Sequence, residues 1–138
     1  MPHILIVDDE AWLANKLAVH LEKEGHRVAT FTGHKMGAFH LIEKLHPDLV
    51  VLDHLRANDY DGMQLVYILR NTPALAHLPI VLIIPRYPSL HMLPFMKSFG
   101  FQPDAYLEKP FSWDECSEMI NRLLSCPKII SSTGESMQ

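Results

Sequence analysis

The stretch Asp48–Gly62, DLVVLDHLRANDYDG, decides the fold. Leu49-Val50-Val51-Leu52 is an apolar run too short for a typical helix and rich in branched residues. It reads as a strand buried on both faces, as in a parallel sheet. The run stops on a carboxylate, Asp53, and a polar, turn-rich segment follows as far as Gly62. In open parallel sheets, ligands bind outside the carboxyl ends of the strands. Asp53 therefore stands where such a sheet does its chemistry, provided that other strands deliver matching groups to the same edge.

Upstream, His3–Val7 (HILIV) is a second apolar run and ends on Asp8-Asp9-Glu10. From Ala11 the period changes. Leu13, Leu17 and Leu21, with Ala14 and Ala18, recur at helical spacing, and Gly25 is the stop signal. Arg27–Phe31 reads as another strand. Met36, Phe39, Leu41, Ile42 and Leu45 mark a second helix that Pro47 ends. Downstream, Leu65, Val66, Ile68 and Leu69 mark a third helix, residues 71–79 a connector, and Ile80–Ile84 (IVLII) a fourth strand. A fourth helix is expected over Leu90–Phe99. Ala105-Tyr106-Leu107 is a fifth strand, followed by Glu108-Lys109-Pro110-Phe111. Ser112 with Glu115 forms a capping box at the start of a fifth helix that runs to about Leu124.

Five strands alternating with five helices imply an α/β fold of parallel βα units with right-handed crossovers, and 2-1-3-4-5 is a common strand order for it. In that order the first and third strands are neighbours, so Asp8, Asp9 and Asp53 converge on one rim. Close carboxylates repel one another unless a cation joins them. Oxygen ligands without sulfur or imidazole favour a hard ion, and a small open site suits Mg²⁺. Lys109 arrives on the same rim from the fifth strand. Carboxylates, a magnesium-type site and a lysine are the parts needed to hold a phosphoryl group, with one carboxylate as nucleophile.

Composition adds bounds. The chain has 138 residues, a length that suits one domain, with residues 1–126 as the folded unit and 127–138 as a flexible tail or the start of a linker. A net charge of −4 supplies no basic field for nucleic acid. No apolar stretch approaches a membrane span and no signal pattern is present, so a cytoplasmic location is expected. Cys116 and Cys126 fall in the last expected helix, about 15 Å apart along its axis, and read as reduced thiols. The nine histidines are scattered singly, and most read as solvated.

Asp8-Asp9-Glu10, Leu52-Asp53, Asp61-Gly62 and Lys109-Pro110-Phe111, each in register with a strand end or loop, together resemble a bacterial response-regulator receiver domain over roughly residues 2–126. The resemblance implies a three-layer (βα)5 flavodoxin-like receiver fold and two-component phosphorelay signalling. By position it makes Asp53 the phosphoacceptor. It has Asp9 and Asp53 ligate Mg²⁺ directly, with Asp8 acting through water and the backbone carbonyl of Leu55 completing the site. Lys109 pairs with the phosphoryl oxygens, Tyr106 takes the aromatic switch position, and the Lys109–Pro110 bond is cis. Expected partners are a sensor histidine kinase or phosphotransfer protein as donor and a downstream protein or output domain. Any homodimer would use the face over residues about 88–124, where Tyr87, Met92, Met96 and Phe99 accompany Tyr106. A signalling module is expected rather than an enzyme, since no separate general base stands beside the acids.

Two departures accompany the resemblance. Ile84 replaces the family's Ser or Thr at the end of the fourth strand, with Pro85 in place of a small residue. The loop after Asp53 lacks the family's proline and is one residue longer. A second functional class therefore stands beside the first: an interaction module read by its partner without phosphorylation.

Overall fold

The computed structural model describes residues 1–53, 61–84, 98 and 102–125. Its elements are β1 (His3–Val7), α1 (Ala11–Lys23), β2 (Arg27–Phe31), α2 (Lys35–Leu45), β3 (Leu49–Asp53), α3 (Asp61–Arg70), a 3-10 turn (Pro73–Leu75), β4 (Ile80–Ile84), β5 (Ala105–Glu108) and α4 (Trp113–Ser125). The helix expected over 90–99, and with it Tyr87, Met92, Met96 and Phe99 of the expected dimer face, lies outside the described residues. So do Leu55, Pro85 and Cys126.

The strands form one sheet, parallel as the alternation of elements implied and of the expected common order β2-β1-β3-β4-β5. Every residue of β3 and β4 is buried, whereas the edge strand β2 is only partly covered. That is why β3 and β4 are written as unbroken apolar runs and β2 as the mixed RVATF. Side chains alternate across the sheet and divide the core in two. Ile4, Ile6, Leu49, Val51, Ile83 and Leu107 pack with α1 and α4. Leu5, Val7, Val50, Leu52, Leu82 and Ile84 pack with α2 and α3. Fully burying one such side chain contributes about 1.5–3 kcal/mol, so this double-sided core is the main stabilising element.

Local signals end the elements. Gly25 takes φ +97° after α1, a left-handed conformation that favours glycine. α2 instead leaves through His46 at φ 50°, with Pro47 next. Ser112 and Glu115 form the capping box at α4: the Glu115 N–H donates to Ser112 Oγ at 3.0 Å and the Ser112 N–H to Glu115 Oε1 at 2.9 Å. Three histidines depart from the solvated reading. His34 caps α2 by accepting the Met36 N–H on Nδ1 at 3.1 Å. His26 is buried and lies 3.2 Å from Asn121 Oδ1, and His20 lies 2.8 Å from Ser117 Oγ, so both tie α1 and its exit to α4. Cys116 is fully buried, and burial pushes its thiol up to about 12, so it is an inert core residue.

Candidate functional site

Strand alternation selects the groups at the carboxyl rim. Positions 4 and 6 of β1 face α1, so Asp8 continues that face. Positions 49 and 51 of β3 do the same for Asp53, and Leu107 of β5 for Lys109. Three polar side chains from β1, its neighbour β3 and β5, one strand further on, are thereby put on one face of the sheet by the period-two rule. Backbone bonds carry the pairing to the rim: Asp8 N–H donates to the Phe31 carbonyl at 3.1 Å and Lys109 N–H to the Ile84 carbonyl at 3.0 Å. The Lys109–Pro110 bond is cis.

Asp8 and Asp53 are nearly sealed from solvent, at 2% and 3% exposure. Asp8 Oδ1 accepts the Glu10 N–H at 2.9 Å, a local turn that carries β1 into α1 and holds the carboxylate in place. Lys109 Nζ lies 2.9 Å from Asp53 Oδ2. The contact is a short ion pair between an ammonium and a buried carboxylate. Burial pushes the Asp8 carboxyl up to about 7, with the Asp53 charge adding to the shift. Burial also raises Asp53, and Lys109 pulls it back. Asp9 adds repulsion to Asp53 through its charge. The rim therefore holds more negative charge than Lys109 offsets, which is the electrostatic condition for a cation site.

Among the described residues, no three His, Cys, Asp or Glu groups form a ready-made metal cage. Mg²⁺ does not need one, since it keeps several waters and is usually held by one or two carboxylates plus phosphate oxygens. The all-oxygen donors, with Asp8 and Asp53 both buried at the rim, fit that ion. Leu55, the expected carbonyl ligand, lies outside the described residues.

The two switch positions fall on the other face of the sheet. Ile84, 3% exposed, packs into the α2–α3 side of the core with Tyr106 against it. The Tyr106 hydroxyl donates to Gln102 Oε1 at 2.6 Å, and burial raises its pKa. Periodicity could assign Tyr106 to a face, but its partner four residues upstream carried no sequence signal.

A profile of the response regulator receiver domain family matches residues 4–121. The chain belongs to that family. Among curated relatives, this receiver domain is 31% identical over 110 residues to the transcriptional regulatory protein AfsQ1 of Streptomyces coelicolor, covering 80% of this chain and 45% of AfsQ1. It is 33% identical over 108 residues to the DNA-binding response regulator MtrA of Mycolicibacterium paratuberculosis, covering 78% and 44%. The chain thus spans about half the length of the curated relatives it matches. Among solved structures, the receiver domain of Francisella response regulator 1452 superposes with a TM-score of 0.74 at 26% identity, covering 90% of this chain and 97% of that one. The receiver domain of a signal transduction histidine kinase from Syntrophus aciditrophicus gives 0.79 at 24% identity over 99% and 95%, a likeness of fold. The chain is thus a receiver domain of two-component signalling, and the reading as a phosphorylation-independent interaction module gains no support over it.

Proposed function

We propose that this receiver domain accepts a phosphoryl group on Asp53 in a Mg²⁺-dependent reaction. The observation that carries the reading is the Lys109 ammonium 2.9 Å from Oδ2 of the buried Asp53 carboxylate at the carboxyl rim of the sheet. A carboxylate oxygen of Asp53 attacks the donor phosphorus. The bond from phosphorus to the donor's leaving group breaks, that group departs with the electron pair, and Asp53 becomes an acyl phosphate. Lys109 neutralises the phosphoryl oxygens without having to move far. Asp9 and Asp53 would hold Mg²⁺ directly and Asp8 through water, with the Leu55 carbonyl as the further ligand that the family resemblance implies. Bound Mg²⁺ supplies further neutralisation of the transferring group.

A sensor histidine kinase or phosphotransfer protein is the proposed donor, and a downstream protein or output domain the proposed reader, in the cytoplasm. Residues 1–126 form the proposed receiver unit, with 127–138 a tail or linker. Homodimerisation is assigned to the face over residues about 88–124.

Intact-mass measurement after incubation with acetyl phosphate and Mg²⁺, quenched cold in acid, tests the reaction. The expected result is a gain of one phosphoryl mass that is absent with chelator and in Asp53→Asn. An unmodified native chain, or an adduct that persists in Asp53→Asn, overturns the assignment.

A further inference from the structure

A cavity of about 370 Å³ lies between the start of α1 and the loop leading to α4. Trp12, Leu13, Phe111 and Trp113 line it, with Glu10 and the Lys109–Pro110 turn at its margin. The rings of Phe111 and Trp113 stand edge to face, centroids 6.2 Å apart and planes at 77°, so they form two walls of a corner. Trp12 leaves its indole 60% exposed, and its Nε1–H donates to Glu10 Oε2 at 3.2 Å. That bond ties a carboxylate to the aromatic surface. Trp113 is braced in turn: His20 stacks on it at 5.8 Å and 27°, and His20 is itself 2.8 Å from the buried Ser117 hydroxyl.

Three ring systems and a carboxylate around one small cavity have a defined electrostatic preference. The faces of indole and phenyl rings are negative and attract cations within about 6 Å, quaternary ammonium groups above all. Lys109 also lines the cavity, but its ammonium is paired with Asp53 at 2.9 Å, so the charge of that pair is offset and Glu10 sets the sign. An anion would meet Glu10, and a neutral apolar molecule would gain nothing from it. The cavity also falls in the size range of small-molecule sites.

We propose that this aromatic corner binds a small free organic cation of the quaternary-ammonium class. The site adjoins the phosphoryl site proposed for Asp53, since Lys109 borders both, but binding there does not require phosphorylation. The ammonium head sits against the faces of Trp12, Phe111 and Trp113, and Glu10 balances its charge.

The chain's two tryptophans both line the cavity, so intrinsic fluorescence of the full chain reports on it directly. Choline titrated into the protein in chelator-containing buffer is expected to give a saturable change. Dimethylbutanol, its neutral carbon isostere, is expected to bind about tenfold more weakly, and Glu10→Gln to weaken choline by a similar factor. Phe111→Leu, with its fold checked by circular dichroism, is expected to abolish saturation. Glu10→Gln, a surface change, keeps the test decisive should Phe111→Leu fail to fold. No saturable response to choline overturns the proposal. So does equal binding of the neutral isostere, or choline binding that is unchanged in Glu10→Gln.

Discussion

Asp8 shows how one residue stores the electrostatic tension of the rim. Its carboxyl titrates near pH 7 in the folded chain, raised from the ordinary 3.8 by burial first and by Asp53 second. Between those two pH values the folded state holds a proton that the unfolded state has released. Stability therefore falls as pH rises from about 4 to 7 and stays reduced above it. Asp8→Asn removes the ionisable group while leaving an oxygen to accept the Glu10 N–H. In metal-free buffer it is expected to stabilise the fold by about 1–3 kcal/mol at pH 8 and to change little at pH 4.5. Urea midpoints at the two pH values check this. A gain equal at both would mean that charge is not its cause. At the same scale, Lys109 and Asp53 form an ion pair of 2.9 Å, which offsets one of the charges crowded on the rim.

At the scale of elements, the rim depends on how β4 and β5 are held at their opposite ends. Arg70, the last residue of α3, donates to the carbonyls of Gln102 at 3.1 Å, Ala76 at 3.3 Å and Leu78 at 2.7 Å. It also pairs with Asp104 at 2.8 Å. The same Asp104 oxygen accepts the Ile80 N–H at 2.7 Å. One guanidinium thus joins the end of α3 to the entries of β4 and β5. Arg70→Ala takes the guanidinium from a poorly solvated carboxylate and from three carbonyls, and is expected to cost about 2–4 kcal/mol. Arg70→Lys is expected to recover only part of that, since an ammonium cannot reproduce the planar fork. Thermal unfolding of the two variants decides the point, and a lysine variant as stable as the native chain would count against the fork. Nothing in the sequence pointed to Arg70, because its partners lie up to 34 residues away and are mostly backbone.

Over the whole molecule, the open question is how far a change at Asp53 travels. Ile84 has no hydroxyl to offer a phosphoryl oxygen; its side chain fills the α2–α3 half of the core, where Tyr106 packs against it and is bonded to Gln102. A hydrogen bond to a charged group is worth about 1.5–3 kcal/mol. Inverting a two-state equilibrium from 1:99 to 99:1 takes about 5.5 kcal/mol. Without that bond, the beryllofluoride phosphoryl mimic is expected to shift amide resonances around Asp53 and Lys109 but not those of Tyr106 and Gln102. In Ile84→Thr the shifts are expected to reach both. The variant should lose about 1–3 kcal/mol of stability for the lost packing. Full propagation in the native chain would show that the hydroxyl is dispensable here.

Sequence alone determined the parallel sheet, and the order found is the common one for such an alternation. Apolar runs of strand length cannot be solvated, and helices of period 3.6 between them leave few ways to cover both faces. It also determined that Asp8, Asp53 and Lys109 share a rim, because each ends or follows such a run. Tertiary structure decided what those groups do to one another: which carboxylate burial raises furthest, that Lys109 faces Asp53 at ion-pair distance, and that Ile84 and Tyr106 lie in the opposite half of the core. It alone brought Trp12 together with Phe111 and Trp113, about a hundred residues downstream. The reason is physical. Periodicity assigns a side chain to a face, but a distance between side chains on different elements follows only from how those elements pack.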